Sequence, residues 1–315
     1  MRAVLLVLAM VLATAAGAAT FDSHRRPTSV SGFPDLEIQT DVAYGRGGNH
    51  PLLLDLFRPH AAGARRLPIV VVIHGGGWVN RDKAYTSVYE APTLARAGFL
   101  CASIDYRPSS EAPFPAALED CKCAVRWLRA NGARFGGDPD HIGAFGMSAG
   151  GHLALMLACV KPADGMEGQG GNDDVSSAVQ AACSWYGPTD LAPAITQPGY
   201  FTPQVTANVR RFLGNPSLER AEYASPISYV AARWAPVLLV QGVLDPVVPV
   251  DQAQRLFDAL RLTPNDVSLV RVEHGVHAFD PVGARVTQPP LSEIRRATSA
   301  FLLRHLRPGA VASLR

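Results

Sequence analysis

Six short and continuous apolar runs recur along the chain, at Ile69–Ile73, Leu100–Ile104, Ile142–Phe145, Ala181–Tyr186, Val237–Val240 and Val267–Val272. Unbroken rather than alternating hydrophobicity is what a strand carries when both of its faces are covered, as in a parallel sheet. Helical patterns lie between the runs. Leu118, Cys121, Val125 and Leu128 share one helical face, and Gly132 stands where a C-terminal cap would sit. Ala253, Leu256, Phe257 and Leu260 line a second face, and Leu291, Ile294, Thr298, Phe301 and Leu302 a third. Such alternation predicts an α/β fold with helices on both faces of a mostly parallel sheet. Asp41–Tyr44 and Leu52–Phe57 read as an opening antiparallel pair, which brings the expected sheet to eight strands.

This organisation places one domain over 36–308, after a polar, Pro/Gly-punctuated arm at 19–35. One stretch breaks the rhythm. Residues 188–235 carry several prolines and the aromatics Tyr200, Phe201, Phe212 and Tyr223. An insertion of that length reads either as a lid-like element or as a helix pair packed on the rim. No internal repeat suggests a solenoid or propeller.

Composition excludes several function classes. With 48% hydrophobic and 18% charged residues the chain can build a large core. Its 29 basic residues are scattered and nearly balanced by 27 acidic ones, so neither a nucleic-acid nor a polybasic membrane footprint is expected. Residues 1–18 read as a signal peptide: Arg2 precedes the apolar run Val4–Leu12, and Ala16-Gly17-Ala18 fits a cleavage site. An uncleaved anchor is the other reading. No cysteine follows the small residues, as a lipoprotein would require, and no later run is long enough to span a bilayer. The expectation is an exported, soluble protein with no membrane partner after cleavage; nothing assigns an oligomeric state. Cys101, Cys121, Cys123, Cys159 and Cys183 are odd in number and match no zinc spacing, so buried structural thiols are expected and no metal site is supported.

Four segments carry chemistry. Gly146-Met147-Ser148-Ala149-Gly150 follows the Ile142–Phe145 run and opens a helical stretch. A G-x-S-x-G turn between strand and helix exposes a serine oxygen, and the helix N-terminus beneath it favours developing negative charge. His74-Gly75-Gly76-Gly77-Trp78 closes an earlier strand. Three glycines let backbone N–H groups approach a ligand closely, as an oxyanion hole needs; a phosphate-cradling loop is the competing reading, and neither phosphate-loop pattern is present. His74 reads as an orienting residue beneath that loop. Asp245 follows the Val237–Val240 run, at the carboxyl edge of the sheet where α/β sites gather. A lone Asp there is commonly a helix cap, but Asp251 is the better candidate for capping. His277 lies in the loop after the last run, with His274 as competitor; Phe279 beside it can anchor the loop.

Together these pieces resemble the α/β-hydrolase superfamily, and His-Gly-Gly-Gly-Trp places the resemblance among hormone-sensitive-lipase-like esterases, nearest the acetyl-xylan and feruloyl esterase branch. It covers roughly residues 40–305 and includes Asp105-Tyr106-Arg107, Asp138-Pro139-Asp140-His141-Ile142, Ser148-Ala149-Gly150-Gly151-His152 and Tyr186-Gly187-Pro188-Thr189-Asp190. The order Ser148, Asp245, His277 agrees with the superfamily's. Pro108-Ser109-Ser110 in place of Leu-Ala-Pro, and the extra His274, are departures.

The resemblance implies an α/β-hydrolase fold and an exported serine carboxylesterase that needs no cofactor and no metal. Ser148 is the implied nucleophile, His277 the base and Asp245 its orienting acid. Gly75, Gly76 and Ala149 are the implied oxyanion donors, and Trp78 and Trp185 candidate walls of the substrate pocket. The expected substrate is a short-chain or aromatic acyl ester, either a small molecule or a decoration on polysaccharide. An amidase, formamidase or peptidase with the same triad, and a non-catalytic hydrolase-like binding protein, are the alternatives.

Overall fold

A computed structural model describes residues 32–80, 82–280 and 285–307. The signal-peptide reading of 1–18 and most of the 19–35 arm lie outside the described residues. The chain opens with β1 (Leu36–Gly47) and β2 (His50–Pro59), paired antiparallel. There follow β3 (Leu67–Ile73), α1 (Ala84–Val88), α2 (Glu90–Arg96), β4 (Leu100–Ile104), α3 (Ala116–Asn131), β5 (Gly137–Met147) and α4 (Ala149–Cys159). Next come β6 (Ala181–Trp185), three short helices α5 (Pro193–Thr196), α6 (Pro203–Leu213) and α7 (Leu218–Tyr223), then β7 (Val237–Gly242), α8 (Val250–Arg261), β8 (Val267–Val272) and α9 (Leu291–Leu306). All eight strands form one sheet in the order β1-β2-β4-β3-β5-β6-β7-β8. Beyond the antiparallel β1, β2 and β4 contacts, every neighbouring pair is parallel.

The continuous apolar runs explain the layering. In β3, Ile69, Val71 and Ile73 join one buried cluster with α3, α4 and α8, while Val70 and Val72 join another with α2 and α9. Alternate side chains of one strand thus serve two cores. β4 and β8 coincide with their expected runs, whereas β5 starts five residues early, through the polar Gly137–His141. Gly132 stands at the end of α3 but keeps right-handed φ −56°; the left-handed turn falls at Gly136, φ 77°. Space accounts for Gly132, since a Cβ there would press on Ile69 Cδ1 at 2.6 Å. All five cysteines are free and buried.

Residues 188–235 form three α-helices and a 3-10 turn at Pro226–Tyr229 rather than a helix pair, and they are built into the main core. Leu191, Phe201, Val209, Phe212 and Leu213 all belong to the cluster shared with α3 and α4. Gln252, fully buried on α8, clasps the start of this segment. Its Oε1 accepts from the Thr189 and Asp190 backbone N–H groups, both at 2.8 Å, and its Nε2 donates to the Tyr200 hydroxyl at 2.9 Å.

Candidate active site

The turn from β5 into α4 is set by sterics. Ser148 sits at φ 53°, ψ −120°, outside the ordinary regions for a residue with a side chain. A Cβ on Gly146 would land on the Gly150 carbonyl, and one on Gly150 would land on the Ile73 carbonyl. Both glycines are therefore required by close backbone packing. The Ser148 N–H donates to the Trp185 carbonyl of β6 at 2.9 Å, which ties the turn to the neighbouring strand.

Three side chains from three strand ends converge on this turn. His277 Nε2 lies 3.0 Å from Ser148 Oγ, and His277 Nδ1 lies 2.8 Å from Asp245 Oδ2. Because an ionised carboxylate only accepts, the network assigns the proton to Nδ1 and leaves Nε2 to accept from the serine hydroxyl. The Asp245 carboxylate is buried and saturated. Oδ1 accepts from the backbone N–H of Val247 at 2.8 Å and of Val248 at 3.0 Å, and Oδ2 accepts from Gln241 Nε2 at 3.1 Å as well as from His277. Asp245 thus holds its own turn and the imidazole with separate oxygens. Asp251 does not cap α8, whose N-cap is Pro249. It lies within the first turn, where the Tyr200 hydroxyl donates to it at 2.6 Å. Chiefly through burial, and partly through that bond, the Tyr200 phenol is pushed up to about 12.

His274 does not enter this line. Phe279 is buried against Tyr186, ring centroids 4.9 Å apart, and against Trp185 at 5.4 Å, so it anchors the loop that presents His277. Tyr186, known from the sequence only as part of a motif, puts its ring 4.6 Å from the His277 imidazole, edge to face.

The glycine loop after β3 lies directly across from Ser148. Gly76 has φ 110°, and a Cβ there would strike the Asn80 carbonyl. His74 is buried beneath the loop, its ring stacked on Tyr106 at 4.2 Å and 10°, while the Tyr106 hydroxyl donates to the His74 carbonyl at 3.1 Å. Each residue of Asp105-Tyr106-Arg107 supports this edge. Asp105 accepts from the Lys83 N–H at 2.7 Å, and burial raises its carboxyl to about 6. Arg107 forks onto the buried Asp120.

A cavity of about 310 Å³ opens over Ser148. Gly75, Gly76, Gly77, Ser148, Ala149 and His277 form its floor, with Trp78, Tyr85, Val247 and Val248 as apolar sides and Val205 and Asn208 of α6 as the opposite wall. Of the two tryptophans expected at the pocket, Trp78 lines this cavity. Trp185 does not. Its indole lies on the other face of the sheet against Phe145, and its Nε1–H donates to Thr298 Oγ1 of α9 at 3.0 Å. Among the described residues no group of three or more His, Cys, Asp or Glu side chains is placed to hold a metal ion.

The comparisons with known proteins agree with this architecture. A family model, BD-FAE, matches residues 54–260, from β2 to α8. The chain belongs to the BD-FAE family. The chain is also similar to esterase LipQ of Mycobacterium tuberculosis, 36% identical over 266 residues, covering 84% of this chain and 61% of LipQ. It spans about three-fifths of the length of the curated relatives it matches. Among solved structures, a truncated carbohydrate esterase from gut microbiota superposes with TM-score 0.73 at 24% identity, over 85% of this chain and 96% of that one. Butyrate-bound esterase 2 of Thermogutta terrifontis gives TM-score 0.70 at 26% identity, over 88% and 97%. Both have this α/β-hydrolase fold, and the BD-FAE match spans the strands that carry Ser148 and Asp245.

Proposed function

We propose that this protein is a serine carboxylesterase acting on short-chain or aromatic acyl esters, with acetyl or feruloyl groups on polysaccharide as the substrate class. The observation that carries the reading is the hydrogen-bonded line from Ser148 through His277 to Asp245, opening into a largely apolar cavity beside the glycine loop.

In this reading Ser148 Oγ attacks the ester carbonyl while His277 Nε2 takes its proton. Asp245 keeps Nδ1 protonated and stabilises the imidazolium as it forms. The carbonyl electron pair moves onto oxygen, where the backbone N–H groups of Gly75, Gly76 and Ala149 receive it. Collapse of the tetrahedral intermediate expels the alcohol, which takes the proton from His277 and leaves an acyl-Ser148. Water, deprotonated by the same imidazole, then attacks the acyl group; the bond to Ser148 Oγ breaks, that oxygen takes the proton back from His277 Nε2, and the acid leaves. Every proton passes through one atom, Nε2, so the two half-reactions need no other acid or base.

The short-acyl preference rests on cavity size and on the likeness to an esterase solved with butyrate. Polysaccharide decoration rests on the family and on the carbohydrate-esterase neighbour. Export belongs to the same proposal and rests on the sequence of residues 1–18; N-terminal sequencing of the protein recovered from cell fractions tests it. Hydrolysis of p-nitrophenyl acetate, butyrate and octanoate and of methyl ferulate, beside Ser148→Ala, tests the activity. Turnover of acetate, butyrate or ferulate that vanishes in the variant is expected, with octanoate slowest. A folded protein that cleaves none of them, or a variant as active as the parent, overturns it.

A further inference from the structure

His152 lies four residues beyond Ser148 on α4, a helix buried along its whole length, and is itself fully buried. Its link to the Ser148–His277–Asp245 line runs through its backbone, whose N–H donates to the Ser148 carbonyl at 3.0 Å. Its ring is held at both nitrogens. Nε2 lies 2.7 Å from the carbonyl of Ala224, at the C-terminal end of α7, and Nδ1 lies 3.3 Å from the indole Nε1 of Trp78. A carbonyl only accepts and an indole N–H only donates, so one tautomer satisfies both: Nε2 carries the proton and Nδ1 accepts. Burial lowers this imidazole to about 4, so it stays neutral across the range in which a serine esterase works.

The partners give this arrangement its meaning. Trp78 follows Gly75-Gly76-Gly77 directly and is itself at φ 59°. Its ring stacks on Phe212 of α6 at 4.5 Å, and both rings meet the His152 imidazole edge-on. One side chain therefore joins the helix beneath the serine, the glycine loop and the 188–235 segment.

We propose that His152 is a positioning residue. By accepting from Trp78 Nε1–H it fixes the glycine loop, and so aims the Gly75 and Gly76 N–H groups at the carbonyl oxygen attacked by Ser148. The bond to Ala224 serves chiefly to lock the tautomer that makes this acceptance possible. The kinetic consequence rests on the esterase reading, whereas the mechanical one does not.

Two substitutions separate the bonds. His152→Asn puts a side-chain oxygen near the place of Nδ1 and keeps an acceptor for Trp78 while losing Ala224. His152→Gln reaches towards Ala224 and leaves the indole N–H without its acceptor. The first readout is hydrogen exchange at the amides of residues 75–78. Exchange is expected to quicken in His152→Gln and in Trp78→Phe and to stay near the parent rate in His152→Asn. The second readout is hydrolysis of p-nitrophenyl acetate per active site titrated with paraoxon. His152→Gln is expected to lower kcat ~10- to 100-fold with little change in KM, and His152→Asn to retain most of it. The double variant with Trp78→Phe is expected to lose no more than either single one. Equal exchange and equal kcat in the Asn and Gln variants, with the same fall in Tm, would mean that His152 only fills space, and the proposal fails. A parent protein without ester turnover instead refutes the esterase reading, and the exchange result alone then decides the mechanical claim.

Discussion

Asp245→Asn is nearly isosteric, yet the structure dictates which way the new amide must face. The Val247 and Val248 N–H groups, at 2.8 and 3.0 Å, require an oxygen at the Oδ1 position. The amide nitrogen therefore falls where Oδ2 stood, against His277 Nδ1 and Gln241 Nε2. A donor facing Nδ1 makes that atom an acceptor and moves the ring proton to Nε2, so the imidazole can no longer take the Ser148 proton. Wrong-tautomer substitutions of this kind cost ~10⁴-fold in kcat. Gln241 can turn its side chain to accept from the introduced amide, but its oxygen would then face the Val248 carbonyl that Nε2 now serves at 2.9 Å. About one buried hydrogen bond is lost either way, on the order of 1–3 kcal/mol of stability. Steady-state hydrolysis of p-nitrophenyl acetate measures the first quantity, urea unfolding the second, and ¹⁵N shifts of His277 the tautomer. A folded Asp245→Asn variant that keeps more than a tenth of the parent kcat would mean that the introduced amide does not impose the Nε2 tautomer.

Three further outcomes follow from the same geometry. Gly76→Ala forces a side chain into φ 110° and onto the Asn80 carbonyl; ester hydrolysis should show a loss of ~100-fold or more in kcat with a smaller change in KM. Phe279→Ala empties the anchor beneath His277; chemical denaturation should register a loss of about 3 kcal/mol, and kcat should fall as the imidazole loses its fixed position, whereas Phe279→Leu restores most of both. For Asp105 the folded carboxyl is raised to about 6 from an ordinary 3.8, so its contribution is most favourable below ~4 and is lost as pH rises through ~6. Asp105→Asn removes this dependence, and the stability of the parent relative to the variant should fall by about 3 kcal/mol between those limits; a difference that does not change with pH would contradict it.

The strand ends were legible because each chemical residue follows a continuous apolar run, and a parallel sheet collects such ends on one edge. Ser148 is marked further by glycines that no other residue could replace, and His277 by an aromatic anchor two residues on. Trp185 shows what the same runs conceal. In Ala181–Trp185 every residue is buried, so the run holds no alternation to say which face the tryptophan takes, and it takes the one away from the cavity. Three other features needed the assembled fold. The 188–235 segment contributes Val205 and Asn208 to the cavity only because α6 packs over the glycine loop. Gln241 reaches Asp245 across a tight turn. The Trp78–His152 bond joins residues 74 positions apart, and the sequence shows each of them only as part of a separate motif.

If Ser148 is a nucleophile activated by His277, an organophosphate that mimics an ester must react with it. Stoichiometric reaction with paraoxon, followed by peptide mapping in a mass spectrometer, tests it most directly. One diethyl phosphoryl group per chain is expected, on the peptide that contains Ser148, formed at least about a hundredfold more slowly in His277→Ala and at the parent rate in His274→Ala. Labelling at another residue, no labelling of the folded protein, or a rate that depends on His274 and not on His277 would contradict it.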